Sequence, residues 1–369
     1  MPFFTKKIEK NKIKRGILFI FKYIKYRNNA RRTIALNIVD MLYKKEDEYL
    51  SPFACKSRDT KGRQVYVEPD GLRTEFQRDR DRITHSKSFR RLMHKTQVFL
   101  SPEDEHYRTR LTHTIEVTQI ARTISRGLSL NEDLTEAAAL GHDLGHTPFG
   151  HAGESALRDC FSPDFTHYKQ SLRVVDKLEN GGRGLNLTYE VRDGILNHTG
   201  ECMAKTLEGV IVKFADRIAY INHDIDDAVR AGILKTEDIP ADLRETLGQT
   251  HSERIATMVK SAINSSLGKN EISMDPEIYA AMMKLRDFLT ERVYKNPVAK
   301  GEEVRAKSML SQLYEYFVKK PDKLPEEFRR DESESVERHV CDYIAGMTDR
   351  FAINLFEEIF IPKIWKNIK

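Results

Sequence analysis

The chain has 369 residues, which is enough for one large domain or two of ordinary size. Its hydrophobic content of 40% and charged content of 32% are typical of a water-soluble globular protein with a sizeable core. The four cysteines lie far apart and form no Cys-x-x-Cys pair, which argues against a disulfide framework or a zinc ribbon. Reduced thiols and a cytoplasmic location are therefore expected.

The positive charge is concentrated at the N-terminus. The net charge is +5, but residues 1–45 carry 13 Lys and Arg against two acidic residues, and the remainder has a net charge of −6. The longest apolar run in this segment, residues 16–21, is too short for a bilayer that needs about 20 residues, and no signal-peptide cleavage site follows it. Residues 1–45 are predicted to form a basic N-terminal extension. It is either solvated and partly helical, or it contacts single-stranded nucleic acid or an anionic membrane surface.

Strand signals are scarce after this extension. Polar and apolar residues alternate best in residues 63–67, which predict at most a small β-hairpin near residues 60–70. Helical periodicity dominates instead, and prolines fall between the periodic segments. Asn131 is a candidate N-cap for one of these helices, with Glu132 and Asp133 in its first turn. Helices are predicted over residues 112–128, 134–144, 172–178, 191–196, 207–222, 254–266, 277–294, 303–317 and 338–359. The fold class is all-α.

The densest chemistry lies in residues 141–151, which contain three histidines and an aspartate. His142 and Asp143 place an imidazole next to a carboxylate, and His146 follows one helical turn later. A divalent metal needs about four such ligands and an open position for water. His113, at the start of an amphipathic helix, and Asp216, in an apolar helical run, are candidates for the other two. Each taken alone could be a surface histidine or a salt-bridged aspartate.

Six segments in order carry a specific resemblance. They are TQVF (96–99), HYRTRLTHT (106–114), HDLGHTPFGH (142–151), NLTYE (186–190), DRIAY (216–220) and DYIAGMTD (342–349). With them the chain resembles the deoxynucleoside triphosphate (dNTP) triphosphohydrolases of the HD superfamily, and among these the bacterial dGTPase-like proteins. The resemblance runs from about Leu50 to about Phe360. It implies that residues 46–369 form an HD-domain helical bundle with additional C-terminal helices.

The resemblance also implies a reaction. The family removes the whole triphosphate from a dNTP by water attack at the α-phosphorus and leaves a deoxynucleoside. One divalent metal ion would be held by four ligands: His113, His142, Asp143 and Asp216. Mg²⁺ or Mn²⁺ is expected, and Fe, Co, Ni or Zn would also suit two imidazoles and two carboxylates.

A second group of residues matches positions beside the scissile phosphate: His146, His151, Glu154 and His167. A histidine is suited to protonate the leaving oxygen, and a carboxylate can orient that histidine. His151 and His167 both remain candidates for the acid. Tyr168 and Lys169 stand where the family commonly has an acidic or amide residue, so no role is assigned to them.

Substrate contacts are expected from a third group. Arg110 lies three residues before His113 and would share its helical face, from which it could bind a phosphate. Asp216, Tyr220 and Asp224 are spaced by four residues and line one face of a helix. By the resemblance, Arg217 binds phosphate, Tyr220 packs against the deoxyribose, and Asp224 and Gln97 bind the 3′-hydroxyl.

Two other functions remain open on the sequence. One is a different HD-fold phosphohydrolase, such as a nucleotidase or a phosphodiesterase, because fold alone does not fix the substrate. The other is a non-catalytic nucleotide- or nucleic-acid-binding protein, which would be expected to have lost metal ligands. The resemblance implies a homo-oligomer and, as in some members, an activating dNTP. It does not indicate the preferred base.

Overall fold

The computed structural model describes residues 38–97, 107–295 and 297–363, with the backbone alone for residues 297–300. Most of the predicted basic extension therefore lies outside the described residues, as do Val98, Phe99 and His106 of the family motifs. The boundary predicted at residue 45 falls inside a helix that covers residues 38–49. None of the described helices is long and apolar enough to span a membrane.

The described chain is helical throughout, which confirms the all-α prediction. The helices are α1 (residues 38–49), α2 (Glu75–Thr84), α3 (Lys87–Arg91), α4 (Arg110–Gly127), α5 (Glu132–Gly141), α6 (His151–Cys160), α7 (His167–Arg173), α8 (Glu179–Gly182), α9 (Tyr189–Asn197), α10 (Leu207–Arg230), α11 (Ala241–Leu247), α12 (His251–Ser266), α13 (Pro276–Leu289), α14 (Pro297–Lys319), α15 (Val336–Ala345) and α16 (Asp349–Phe360). One π-helical turn, Val174–Leu178, follows α7, and another, Thr290–Tyr294, follows α13.

The hairpin expected near residues 60–70 does not form. Within the described ranges, β-pairing is limited to two isolated antiparallel bridges, Arg63 with Thr188 and Thr96 with Thr109. The Arg63 guanidinium is instead buried against the carboxylates of Glu75 and Asp79 on α2. These ion pairs, together with hydrogen bonds between the Asn186 side chain and the Val65 backbone, hold the segment in place of a partner strand.

The largest hydrophobic cluster is built around two helices. α10 lies against α4, and both bury apolar stripes that meet α12 and α13 in this cluster. α2, α5 and α9 share a second cluster. In a third cluster, α6 packs on α14, α15 and α16. The C-terminal helices thus cover the segment that follows the His-Asp doublet.

Two predicted helices are shorter or broken. The helix predicted over residues 134–144 is α5, with Asn131 as its N-cap, and it ends at Gly141, so His142 and Asp143 lie in the turn that follows. The helix predicted over residues 338–359 is divided into α15 and α16. The break comes because the Thr348 side chain accepts from the amide of Phe351 and begins a new helix.

Candidate active site

The loop after α5 is held close to α7. A Cβ on Gly145 would lie 2.1 Å from the amide nitrogen of Ser171, so only glycine fits at this point. The Ser171 hydroxyl accepts from the Gly145 amide at 2.9 Å and donates to the His142 carbonyl at 2.7 Å. This clamp fixes the direction in which the His-Asp doublet leaves the helix.

Four of the predicted residues meet in a buried cluster at the junction of α4, α5 and α10. His113 Nε2 lies 3.1 Å from Asp216 Oδ1. His142 Nε2 lies 3.6 Å from Asp143 Oδ1 and 3.9 Å from Asp216 Oδ1. The four side chains therefore point their donor atoms at one another from three elements, as predicted for a common metal site.

The cluster suits a divalent cation. His142 Nδ1 lies 2.6 Å from the Ala139 carbonyl oxygen, so this nitrogen carries the proton and Nε2 presents its lone pair to the carboxylates. Among the described residues, His142 Nε2 has no hydrogen-bond partner although it is buried. A buried acceptor between two carboxylates is costly unless a cation or another donor satisfies it. Two imidazoles and two carboxylates would satisfy several divalent ions and select none of them.

Both carboxylates are ionised at neutral pH. Burial acts to raise the pKa of Asp216, but the hydrogen bond with His113 and the neighbouring His142 imidazole lower it to about 2. Burial also acts to raise the pKa of Asp143, but His142 and Arg110 outweigh it and hold that pKa well below its usual range. The cluster thus holds two carboxylates in their charged form.

The predicted catalytic residues form a layer beside this cluster. The rings of His146 and His167 stack, with centroids 4.7 Å apart and planes inclined by 18°. The His151 ring lies 6.1 Å from that of His146. Glu154 Oε2 lies 3.0 Å from His167 Nδ1, so the carboxylate orients this imidazole.

Two of these histidines are neutral without substrate. Burial, followed by the positive charge of Arg110, lowers the pKa of His151 and lowers that of His146 well below its usual range. Burial acts to raise the pKa of Glu154, but the hydrogen bond with His167 reverses this and the pKa falls to about 2. A charged carboxylate therefore faces His167.

The site contains one more histidine, His198, which the sequence analysis did not identify. His198 is buried at the end of α9, with its ring 4.9 Å from that of His142 and its Nε2 3.3 Å from His167 Nε2. Its Nδ1 lies 2.8 Å from the Ile195 carbonyl, three residues earlier. His142 contacts Ala139 in the same way. A histidine directly after an apolar helix was thus a signal available in the sequence.

A cleft of about 340 Å³ leads to the cluster. Small-molecule sites commonly occupy about 300–1000 Å³. Ten of the predicted site residues line the cleft: Gln97, Arg110, His113, Asp143, His146, His151, His167, Asp216, Tyr220 and Asp224. His142 and Glu154 do not line the cleft themselves. His142 lies next to Asp143, and Glu154 contacts His167. The C-terminal region adds lining residues that the sequence did not single out: Arg286, Thr290, Tyr294 and Glu303.

The predicted substrate contacts differ in how the fold positions them. Arg110 Nη1 donates to Asp143 Oδ2 at 2.8 Å, which places its guanidinium next to the candidate cation site. The Tyr294 hydroxyl donates to the Asp224 carboxylate at the base of the cleft. Burial raises the pKa of Asp224 to about 7, although this hydrogen bond opposes the shift. Arg217 is absent from the cleft lining, and its guanidinium donates to the hydroxyl of Tyr279 at 3.1 Å.

Comparison with known proteins assigns the family. The HD domain model matches residues 110–221, and the phosphohydrolase-associated domain model matches residues 272–358. The chain is 59% identical over 321 residues to a deoxyguanosinetriphosphate triphosphohydrolase-like protein of Caldanaerobacter subterraneus, with 87% of this chain and 95% of that protein covered. A protein of the same name from Desulfatibacillum aliphaticivorans is 49% identical, with 89% of this chain and 99% of the relative covered.

The chain belongs to the deoxyguanosinetriphosphate triphosphohydrolase-like HD-domain proteins. The HD domain supplies the four metal-site candidates: His113, His142, Asp143 and Asp216. The phosphohydrolase-associated domain supplies Arg286 and Tyr294 to the lining of the same cleft. The cleft of this HD-domain protein is therefore built by both matched regions.

Proposed function

We propose that this chain hydrolyses dNTPs to a deoxynucleoside and inorganic triphosphate with one divalent cation bound. The observation that carries the proposal is that one cleft contains a His-Asp cluster, an arginine, three histidines and the Tyr220–Asp224 face of α10. The relatives' name, deoxyguanosinetriphosphate triphosphohydrolase-like, supports the same substrate class. Fold alone would leave other nucleotide phosphohydrolases open.

The cation would be held by His113, His142, Asp143 and Asp216, and Mg²⁺ or Mn²⁺ suits the two carboxylates. When bound, it supplies positive charge beside the α-phosphate and acidifies a water molecule. Arg110 has a related task, because its guanidinium contacts Asp143 and also faces the cleft. It binds the phosphates and stabilises the charge that develops on them during attack.

Water adds to the α-phosphorus while the bond from that phosphorus to the 5′-oxygen breaks. The water oxygen leaves with the triphosphate, and the departing 5′-oxygen takes a proton to become a hydroxyl. We assign this proton to His151. Both ring nitrogens of His167 are engaged, with Glu154 and His198, whereas the His151 ring makes no hydrogen bond to another described residue. The negative phosphates of a bound substrate would raise the low pKa of His151 and charge it for this step.

The far end of the cleft is suited to a deoxyribose. Tyr220 lies one helical turn after Asp216 and one turn before Asp224, so a sugar would lie next to the reacting phosphate. We propose that the Tyr220 ring packs against C2′ and leaves no space for a 2′-hydroxyl. Asp224 and Gln97 would bind the 3′-hydroxyl. Gln97 Oε1 is buried without a partner within the described ranges, which supports a contact with a ligand donor.

The proposal is tested by incubating the purified chain with each dNTP and Mn²⁺ or Mg²⁺ and separating the products by ion-exchange chromatography. Deoxynucleoside and tripolyphosphate in equal amounts are expected. Asp143→Asn should abolish turnover, whereas the matched control Asp159→Asn should not, because Asp159 is exposed and forms its ion pair with Lys307, outside the cleft. Release of orthophosphate or pyrophosphate would contradict the proposed reaction and favour another phosphohydrolase.

A further inference from the structure

A buried histidine lies behind the candidate metal ligand His113. His223, on α10, is 1% exposed, and its Nδ1 lies 3.4 Å from His113 Nδ1. The other nitrogen of His113, Nε2, lies 3.1 Å from Asp216 Oδ1 and so faces the candidate cation site. His223 therefore contacts His113 on the side away from the metal cluster.

The contact continues to a carboxylate. His223 Nε2 lies 3.2 Å from Glu116 Oε2 on α4. Arg108 Nε lies 3.1 Å from the same oxygen and holds it in place. Asp216, His113, His223 and Glu116 thus form a continuous chain of polar contacts from the cleft to the edge of α4.

Without a cation, Asp216 competes for a hydrogen on His113 Nε2. With a cation bound, that nitrogen must offer a lone pair, and the chain then allows one arrangement of hydrogens for neutral rings. Glu116 is an acceptor and takes the hydrogen on His223 Nε2, which leaves Nδ1 of His223 as an acceptor. His113 must then donate from Nδ1, and its Nε2 presents a lone pair to the cation site. We infer that His223 and Glu116 are a positioning pair that fixes the tautomer and ring orientation of His113 for metal binding. The inference rests on the proposed metal site.

The position of His113 explains why it needs such a pair. His142 follows the last residue of α5 and uses the Ala139 carbonyl, one of the free carbonyls at the end of a helix. His113 lies inside α4, where backbone carbonyls accept the hydrogen bonds of the helix. Its Nδ1–H therefore needs a side-chain acceptor, and among the described residues His223 provides it.

The test measures Mn²⁺ affinity without substrate, by electron paramagnetic resonance titration of free Mn²⁺ against the full chain. His223→Leu removes the acceptor and should weaken Mn²⁺ binding about 10- to 100-fold. His223→Asn keeps an acceptor oxygen near the position of Nδ1 and should restore most of the affinity. Glu116→Gln should weaken binding by a smaller factor, since it leaves His223 without its carboxylate. His251→Phe is the control, because His251 stacks on His223 but does not contact His113.

The outcomes separate this inference from the proposed function. Unchanged Mn²⁺ affinity in folded His223→Leu, or equal losses in the Leu and Asn variants, would overturn the positioning role. If His223→Leu does not fold, unchanged affinity in Glu116→Gln has the same consequence. A wild-type chain that binds no Mn²⁺ would overturn the metal site itself and this inference with it. Normal Mn²⁺ binding without dNTP hydrolysis would leave the positioning pair intact and contradict the proposed reaction alone.

Discussion

The amide nitrogen of Phe149 donates a 2.9 Å hydrogen bond to Oδ1 of Asp349, the first residue of α16. Asp349 Oδ2 accepts from the amide and hydroxyl of Thr96, at 2.9 and 2.7 Å. Phe149 has a φ of 58°, which is unfavourable for a residue with a side chain, and Gly150 follows with a φ of 55°. A carboxylate from the C-terminal region thus holds the loop between His146 and His151 in a strained conformation.

Asp349→Ala should lower turnover by displacing this loop. Removing the carboxylate leaves the buried amide of Phe149 without a partner, at a cost of about 1–3 kcal/mol, and frees the half-buried donors of Thr96 at a smaller cost. We expect a lower melting temperature and a lower kcat, with Mn²⁺ affinity close to that of the wild type because His113, His142, Asp143 and Asp216 are not touched. Asp349→Asn keeps acceptor capacity and should be milder. A folded Ala variant with wild-type kcat would show that the loop does not need the contact.

Different variants should affect metal binding and proton transfer separately. Asp143→Ala should remove turnover and bound metal together, because it deletes a proposed ligand. His151→Ala should reduce kcat by about 10²- to 10⁴-fold, as for loss of a general acid, and leave the metal content unchanged. Metal content is measured by mass spectrometry on the dialysed variants. Full activity in His151→Ala would contradict the assignment of the acid and direct attention to His167.

Tyr220→Ala should relax the choice of sugar. Without the ring, the cleft has space for a 2′-hydroxyl, and the ratio of kcat/KM for a dNTP to that for the matching rNTP should fall by about 10- to 100-fold. Tyr279→Ala is the matched control, because Tyr279 is outside the cleft lining and contacts Arg217. An unchanged ratio in Tyr220→Ala would remove this residue from sugar recognition.

Glu208 should make stability depend on pH away from the active site. Its carboxylate accepts from the amides of Cys55 and Asn131, and burial raises its pKa to about 7. The folded state then keeps a proton that the unfolded chain loses near pH 4.3. The contribution of Glu208 to stability is therefore complete below about pH 4.3 and is lost as the pH rises through about 7.

Glu208→Gln removes this loss. The melting temperature of the variant minus that of the wild type should rise between pH 5 and pH 8, by an amount equivalent to about 3 kcal/mol at most. The control is Glu132→Gln. The hydrogen bond from Arg126 lowers the pKa of Glu132, so its difference from the wild type should stay flat over this range. A flat difference for Glu208→Gln would show that Glu208 ionises normally in the fold.

The sequence indicated the metal-site candidates in two steps. The adjacent His142 and Asp143 marked a site, His113 in the first turn of a helix and Asp216 in an apolar helical run were candidates for it, and the resemblance to the HD superfamily joined the four into one set. In the structure, these four side chains lie close to one another. The α-helical fold class followed from helical periodicity, since buried positions on α4 and α10 repeat every three to four residues.

Other features of the site could not be predicted from the sequence because they depend on packing between distant segments. Tyr294 reaches Asp224 because a π-helical turn follows α13, and no periodic pattern marks such a turn. In the sequence, Asp349 has no feature that marks it as a contact of the active-site loop. Its hydrogen bond to Phe149 depends on the packing of α16. Arg217 follows Asp216 directly, and neighbouring residues on a helix point about 100° apart, so it leaves the cleft while Asp216 faces it.

In the proposed reaction, water attacks the α-phosphorus and the whole triphosphate is released. Hydrolysis of each active dNTP in ¹⁸O-labelled water, followed by mass spectrometry of both products, tests this most directly. We predict one ¹⁸O atom in the tripolyphosphate and none in the deoxynucleoside. Label in the 5′-hydroxyl of the deoxynucleoside, or in orthophosphate or pyrophosphate as the first product, would contradict the account.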